Sequence, residues 1–297
     1  MESDLRAYGP LLDALRGVTW PARRHARSAV SGTHRSPLRG VSPEFTEYRP
    51  YRQGDDPRRL DWKLLARTDR ASVRVTNDRS TLGTVVAVDA SASMAFPYGS
   101  VAKWVQACRV AVGLAAVALA AGDPVGFIVP LEEATRALLP RARRSVLVEA
   151  ARLLGGIEPA GSEPMAPALA PAKHSFRLAI VSDFLGDEDE LLAVARQRLS
   201  AGGEVYAVHI VARAELEPGG AAIQATDPES PEIRRSLATS TLQEYQSAFA
   251  LWREELARSW RAAGAVYTEV PDDEAAERAV RRVVGPEANA LARVDER

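Results

Sequence analysis

An apolar, β-branched run that ends abruptly in polar residues constrains the fold of this chain more than any other stretch. Residues 85–88 read Val-Val-Ala-Val, and Asp89, Ser91 and Ser93 follow at once. A continuous apolar run of this kind is typical of a strand buried on both faces of a parallel sheet. The three polar side chains would then lie on the turn at the carboxyl end of the strand, the edge where open α/β sheets bind ligands.

Strand and helix patterns alternate from residue 82 onward. Strands are predicted at 82–88, 125–129, 176–181, 205–211 and 266–270, with a hairpin partner at 135–139. Helices are predicted at 100–121, 143–154, 188–201, 241–263 and 272–283, with a loop at 157–172 and an irregular stretch at 212–238. Capping boxes at Asp187-x-x-Glu190 and Thr241-x-x-Glu244 would open two of these helices. The alternation predicts an α/β fold with a doubly wound, mainly parallel sheet.

The charge distribution divides the chain before this alternation begins. Residues 1–80 hold 16 basic and 10 acidic side chains, whereas the remainder holds 22 and 29. We predict a basic amino-terminal arm with a short helix at 1–40, a dense polar segment at 41–80 with a helix at 61–67 and a strand at 72–76, a main domain at 81–285, and a tail at 286–297. The basic part would suit an acidic protein surface, a phosphate backbone or the acidic remainder of the chain itself.

The cysteine content and the longest apolar run indicate the compartment. Cys108 is the single cysteine, so no intramolecular disulfide is possible, and it lies within an apolar helical pattern. The run at 110–122 is shorter than the roughly 20 residues that a membrane span needs. No signal-peptide pattern is present at the start of the sequence. We therefore expect a cytoplasmic protein without a membrane span, and we expect no nucleic-acid partner.

A second carboxylate follows another predicted strand at the equivalent place. Asp183 comes directly after the apolar run at 178–181 and Ser182. If the two strands are neighbours, Asp89, Ser91, Ser93 and Asp183 form an array of hard oxygen donors that suits Mg²⁺ or Mn²⁺. The alternative is that both aspartates cap the helices that follow their strands and that the serines are turn residues.

Several catalytic classes do not fit these residues. A phosphotransferase with a nucleophilic aspartate needs a second acid two residues later, and Ser91 stands there. The chain has no phosphate-binding glycine loop, no dinucleotide fingerprint and no serine nucleophile elbow. The four histidines are not at metal-ligand spacing. The sequence therefore favours binding over catalysis.

A dense block of polar and aromatic residues precedes the main domain. The block contains Phe45, Glu47, Arg49, Tyr51, Gly54, Asp55, Asp56, Arg58, Asp61, Trp62, Lys63, Ala66 and Arg67. This block, followed by the Asp-x-Ser-x-Ser turn at the same spacing, resembles the bacterial family called domain of unknown function 58, which carries a von Willebrand factor A-like domain. The resemblance covers about residues 40–285.

The resemblance implies a metal-ion-dependent adhesion site and a protein partner. A divalent ion would be held by Asp89, Ser91, Ser93 and Asp183, with one position open to an acidic residue of the partner. Members of this family often occur beside MoxR-type AAA+ ATPases, which implies an adaptor or co-chaperone without enzymatic activity. A-type domains also place a metal-binding threonine in a Gly-Gly-Thr loop. In this sequence Glu163 takes that place by register, and Ser162 is the nearer substitute by chemistry; Glu163 as a ligand would reduce the attraction for an external carboxylate.

The sequence therefore leaves three hypotheses for the function of the protein. The first is the metal-dependent protein-binding module. The second is a metal-dependent phosphoesterase or nuclease that uses Asp55, Asp56 and Asp61, and the third is a metal-free structural scaffold. The acidic and basic residues of the block either form an ion-pair network, with Trp62 as an apolar anchor, or present a docking surface or second metal surface.

Overall fold

The computed structural model contains a six-stranded sheet, nine α-helices and three further two-stranded sheets within the residues it describes. Those residues are 5–23, 31–35, 45–51, 60–76, 79–80, 82–97, 100–218, 223–226, 234–237 and 239–285. The strands are β1 Ser31–Arg35, β2 Phe45–Pro50, β3 Ser72–Thr76, β4 Arg79–Ser80, β5 Thr84–Val88, β6 Val125–Val129, β7 Arg136–Arg141, β8 Arg177–Ser182, β9 Glu204–Val211, β10 Ile223–Thr226, β11 Arg234–Leu237 and β12 Val266–Pro271. The α-helices are α1 Gly9–Ala14, α2 Trp62–Thr68, α3 Ala102–Ala120, α4 Ser145–Gly155, α5 Met165–Ala168, α6 Glu188–Ser200, α7 Arg213–Leu216, α8 Thr239–Ala262 and α9 Ala276–Val284.

The main sheet has the order β12-β9-β8-β5-β6-β7, and every pairing in it is parallel except that of β6 with β7. β5 and β8 are direct neighbours, with Val88 opposite Val181. The residues that follow these two strands therefore leave the sheet at the same edge. The predicted doubly wound, mainly parallel α/β sheet is confirmed.

Alternate residues of β5 enter two different hydrophobic cores. Val86 and Val88 pack in the core that contains α1, α3, α4 and α9. Val85 and Ala87 pack in the core formed with α5, α6 and α8. Since successive side chains of a strand point to opposite faces, a strand covered on both faces must be apolar throughout. This is the physical reason for the uninterrupted apolar run.

Helix α3 is the central helix of the first core. Its buried positions lie all around the helix and include Cys108, as predicted. Of the helices described, α3 alone is long and apolar enough to cross a membrane by length and composition, and 72% of its apolar window is buried within the fold. The close packing depends on small residues: a Cβ at Gly113 would lie 2.7 Å from Cγ2 of Val280.

The start of the chain is part of the main core. Tyr8, Leu11, Leu15 and Trp20 are all buried in the core that contains α3. The guanidinium of Arg177, on β8, lies 4.2 Å from the centre of the Trp20 ring and donates to the Trp20 carbonyl oxygen at 3.1 Å. The structure describes residues 5–23 of the segment predicted as an arm, and this part packs against the main sheet and its core helices.

Several local predictions were wrong. The segment predicted as a basic arm with one short helix also contains β1, which pairs with β4. The stretch predicted as irregular at 212–238 contains α7 and the hairpin β10–β11. The predicted loop at 157–172 contains α5 and a 3₁₀ helix, Ala170–His174. Elements this short carry too few residues for a period to be recognised. The tail predicted at 286–297 lies outside the described residues.

The two predicted capping boxes were also wrong. Asp187 makes no capping bond at the start of α6; its Oδ2 instead accepts from the backbone N–H of Ala166 at 2.8 Å. Helix α8 begins at Thr239, two residues before the predicted cap Thr241. At α6, the Asp187 side chain therefore bonds the backbone of a distant segment, at Ala166, and does not cap its own helix as the local pattern predicted.

Candidate functional site

The turn after β5 is closed by the side chain of Asp89. Its Oδ1 accepts from the backbone N–H of Ser91 at 2.9 Å, and its Oδ2 accepts from the hydroxyl of Ser182 at 2.6 Å. The Asp89 N–H donates to the carbonyl oxygen of Val181 at 2.9 Å, which continues the ladder between the neighbouring strands. The carboxylate is therefore buried at the sheet edge and held from both strands.

The two serine hydroxyls of the turn lie together. The Oγ atoms of Ser91 and Ser93 are 3.0 Å apart, and both residues are buried. Two backbone bonds tie this turn to the loop before α5: Ala92 N–H donates to the Gly161 carbonyl oxygen, and Ala160 N–H donates to that of Ala90. This pairing brings the loop that carries Ser162 and Glu163 to the same edge.

Asp183 lies at the end of β8 and makes a similar turn. Its Oδ1 accepts from the backbone N–H of Leu185 at 3.2 Å, while the Ser182 hydroxyl accepts from that of Phe184 at 2.8 Å. Phe184 has a φ of 55°, in the left-handed region that a bulky side chain rarely adopts. Its buried ring packs against Trp260, which offsets the backbone strain.

A buried lysine, which the sequence-based interpretation missed, pairs with Asp183. The ammonium of Lys103 lies 2.6 Å from Oδ2 of Asp183 and 2.8 Å from Oε1 of Glu215. The Lys103 side chain is fully buried, in the first turn of α3. The second oxygen of Glu215 accepts from the backbone N–H of Ala212 at 2.7 Å. The three charged groups therefore form a hydrogen-bonded cluster directly behind the Asp89 turn.

A cavity of about 340 Å³ opens in front of the turn. Its polar lining consists of the hydroxyls of Ser91 and Ser162 and four carboxylates, those of Asp89, Glu163, Asp187 and Glu190. Among the residues that the structure describes, no lysine, arginine or histidine lines it. Asp183 and Ser93 are not among its lining residues, so the structure brings Ser162 and Glu163 to the cavity and leaves those two behind it.

The charges at this edge are unequally compensated. Burial and the charge of Asp183 raise the pKa of Asp89 to about 6. Although burial alone would lower the pKa of Lys103, the charges of Asp183 and Glu215 raise it above its usual value, so the lysine stays cationic. Within the described part of the chain, Asp89 forms no ion pair with a lysine or arginine. Among the described residues, Asp89 is therefore a buried carboxylate without a compensating positive charge.

The donor set at this edge fits a hard divalent cation in part. Asp89, Ser91, Ser162 and Glu163 present oxygen atoms to one cavity, as Mg²⁺ requires. Asp183, in contrast, already holds the Lys103 ammonium. No group of three or more His, Cys, Asp or Glu side chains among the described residues is arranged to bind a metal. An ion here would therefore depend on serine hydroxyls and water in addition to carboxylates.

The alternative that the two aspartates cap the following helices was wrong. Each accepts from the N–H two residues later, which makes it a turn residue, and the described start of α6 has no side-chain cap. The sequence contained one signal for the missed lysine: Lys103 is a charged residue in a helix that is otherwise almost entirely apolar. Such a residue is buried only when it is paired.

The block before the main domain is only partly described. Arg49 lies on β2, whereas Gly54, Asp55, Asp56 and Arg58 lie outside the described residues. Asp61 caps α2, with its Oδ1 accepting from the N–H of Leu64 at 2.9 Å. Trp62 is 65% exposed, so its predicted role as an apolar anchor was wrong. Lys63 and Arg67 are exposed on the same helix, which buries no residue.

The buried histidine His209 is not positioned for catalysis. Nδ1 of His209 lies 2.5 Å from the hydroxyl of Tyr267, and the ring packs edge-on against Trp252. Burial, together with the charges of Lys103 and Arg253, lowers the pKa of His209 to about 3, so the ring is neutral. A buried, neutral histidine that bonds a tyrosine is a packing element of the core.

Comparison with known proteins places the chain in a family. The model of the family described as "Protein of unknown function DUF58" matches residues 47–254. The chain belongs to the DUF58 family. Among curated proteins, this DUF58 chain is 27% identical over 264 residues to the uncharacterized proteins Rv1480 of Mycobacterium tuberculosis and Mb1516 of Mycobacterium bovis. Each match covers 86% of this chain and 83% of the relative.

Solved structures with a related arrangement share little sequence with this DUF58 protein. The conserved hypothetical protein BatB of Bacteroides thetaiotaomicron is 17% identical, with a TM-score of 0.44, over 73% of this chain and 100% of its own. The VWA domain of SpRpn10 is 12% identical, with a TM-score of 0.37, over 69% of this chain and 97% of its own. The order of the main sheet and the cores on both of its faces show by themselves that the DUF58 chain has a doubly wound α/β fold.

Proposed function

We propose that this DUF58 protein is a non-enzymatic protein-binding module whose sheet edge binds Mg²⁺ or Mn²⁺. In this proposal it acts in the cytoplasm as an adaptor or co-chaperone of a MoxR-type AAA+ ATPase. One observation carries the metal: the Asp89 carboxylate is buried, lines the cavity, and has no cationic partner among the described residues. A buried carboxylate without a compensating charge is costly, and a bound cation removes that cost.

The chain's own residues divide into ligands and supports. Asp89 and Ser91 would bind the ion, and Ser162 or Glu163 would approach it from the loop that the backbone bonds hold in place. Ser93 would orient the Ser91 hydroxyl through their 3.0 Å contact. When bound, the ion supplies a positive charge that attracts an external carboxylate.

The acidic lining makes partner binding depend on the ion. Asp187 and Glu190 border the same cavity, so an incoming carboxylate would be repelled while the ion is absent. The ion would offset two of the four negative charges that line the cavity and would offer a coordination position to the partner's acidic residue. We therefore propose that the partner is captured only by the metal-loaded module. The likeness to the family that occurs beside MoxR-type ATPases supports the ATPase as the first partner to test.

Isothermal titration with MgCl₂ and MnCl₂ tests the metal directly. Wild-type protein should bind one ion, and Asp89→Asn should lose at least tenfold in affinity because the main charged ligand is gone. Asp13→Asn is the matched control: Asp13 is an exposed aspartate, paired with Arg16, and its loss should change nothing. Equal heats for wild type and Asp89→Asn would reject the metal site.

Affinity capture tests the partner. Immobilised wild-type protein should retain a purified MoxR-type ATPase in MgCl₂ and release it in chelator, whereas Asp89→Asn should retain none in either buffer. Retention that survives both the chelator and the substitution would contradict a metal-dependent interaction. That result would favour the metal-free scaffold, for which the buried Lys103 is the supporting observation.

A further inference from the structure

The ammonium of Lys103 is bonded to Asp183, a carboxylate that the sequence predicts as a metal ligand. It contacts Asp183 at 2.6 Å and Glu215 at 2.8 Å, and it is completely buried. Asp183 also couples electrostatically to Asp89 and raises its pKa. The Asp183 carboxylate thus links Lys103 to Asp89, the residue on which the proposed metal site depends.

Stability alone does not account for this cluster. Burying an ammonium and two carboxylates is expensive, and well-packed apolar residues of the same volume are often as stable. Each carboxylate also receives a backbone N–H, that of Leu185 for Asp183 and that of Ala212 for Glu215. The cluster is therefore fixed in position, and it holds the cationic Lys103 beside Asp183.

The charges near the turn show what the lysine does to a cation. Asp89, Asp183 and Glu215 would together carry three negative charges, and Lys103 reduces this to two. A divalent ion in the cavity would be repelled by the ammonium, and both oxygens of Asp183 already accept a hydrogen bond, one from Lys103 and the other from the N–H of Leu185. The amino end of α3, where Lys103 lies, adds the positive end of a helix dipole.

We propose that Lys103 sets the cation affinity of this edge by acting as a built-in counter-ion for Asp183. This inference rests on the proposed metal site. It assigns the divalent ion to Asp89 and the cavity residues and excludes Asp183 as a direct ligand. Ion binding at the edge is accordingly weak and reversible, as suits a module whose partner binds and leaves.

Two substitutions in the cluster must shift the affinity in opposite directions. Lys103→Met removes the repelling charge and frees Asp183, so Mn²⁺ and Mg²⁺ should bind at least tenfold more tightly, a change of about 1.4 kcal/mol. Glu215→Gln removes a nearby negative charge and should weaken binding severalfold. A purely structural role would lower stability in both variants without opposite effects on the ion.

The measurement is titration of free Mn²⁺ by electron paramagnetic resonance, with MgCl₂ calorimetry as a second readout. Lys63→Met is the control, since it removes one ammonium from an exposed position on α2. Circular dichroism establishes that each variant is folded. If Lys103→Met does not fold, the double variant Lys103→Met/Glu215→Gln keeps the summed charge of the cluster unchanged and should bind Mn²⁺ more tightly than wild type because Asp183 is released. An unchanged affinity of the double variant would overturn the role of Lys103.

The outcomes separate this inference from the proposed function. Wild-type binding that Lys103→Met and Glu215→Gln leave unchanged overturns the role of Lys103 and keeps the metal site. Absence of binding in wild type with clear binding in Lys103→Met supports the role of Lys103 and overturns metal dependence of the native protein. Absence of binding in all folded variants overturns both.

Discussion

Lys103 and Asp183 form an ion pair at 2.6 Å in which neither side chain is more than 2% exposed. The pair joins the first turn of α3 to the end of β8, across 80 residues of sequence. It therefore links the helix that fills the first core to the strand that neighbours the Asp89 turn.

Breaking this pair should destabilise the fold. Lys103→Met leaves the Asp183 carboxylate buried and unpaired, so the free energy of unfolding should fall by about 3–5 kcal/mol. Arg213→Met is the control, because the pair of Arg213 on α7 with Glu217, the residue that follows this helix, is more than half exposed and contributes under about 1 kcal/mol. Urea unfolding followed by circular dichroism compares them. Equal losses in the two variants would contradict the burial of the Lys103 pair.

The raised pKa of Asp89 predicts the pH dependence of stability in chelator. The folded pKa of about 6 exceeds the ordinary 3.8, so the folded state takes up a proton first as pH falls. Stability contributed by this group is present below pH 4 and is lost as pH rises through 6. Between pH 4 and 7, wild type should therefore lose on the order of 2 kcal/mol relative to Asp89→Asn. Thermal or urea unfolding across this range measures the difference, and a pH-independent difference would refute it.

Two tryptophans provide a matched test of the amino-terminal segment. Trp20 is 1% exposed and packs on Arg177, so Trp20→Ala should cost about 3–5 kcal/mol of unfolding free energy. Trp62 is 65% exposed, and Trp62→Ala should change it by under about 0.5 kcal/mol. Denaturant unfolding of both variants decides the point. A neutral Trp20→Ala would mean that residues 5–23 do not belong to the core.

The contact of β6 with β7 leaves no room for a side chain at Gly126. A Cβ there would lie 2.4 Å from the carbonyl oxygen of Leu138 and 2.8 Å from the nitrogen of Pro140. Gly126→Ala should therefore reduce the unfolding free energy by roughly 1–3 kcal/mol. A Cβ at Gly9 meets nothing within 4 Å, so Gly9→Ala should change it by less than about 1 kcal/mol. A difference in melting temperature between the two variants tests this pairing geometry.

The sequence was sufficient for the long elements because each carries its own periodic pattern. The β5 run is apolar throughout since both faces are covered, and α3 and α8 are long enough for a helical period to show. The neighbour relation of β5 and β8 was inferred only as a condition, and the sheet order satisfies it. Short elements such as α5 and β1 depend on contacts with distant segments, so no local pattern predicted them.

Only those residues of the candidate site that directly follow a predicted strand could be predicted from the sequence. Asp89 and Asp183 follow apolar runs and could be placed at one edge from the sequence. The Lys103–Glu215 contact spans 112 residues and depends on how α3 and α7 approach β8, which no spacing rule contains. The lysine at the centre of the electrostatics was for that reason absent from the sequence-based site.

The antiparallel strand β7 has a consequence for how the protein behaves at high concentration. It forms an edge of the main sheet, five of its six residues are exposed, and it carries Arg136, Pro140 and Arg141. Charged residues and a proline that lacks an N–H discourage the addition of a strand from another molecule. On that side of the sheet, β7 thus covers the five parallel, largely apolar strands. Although β7 contributes little to the core, it prevents their backbone from pairing with a strand of another molecule and so opposes aggregation.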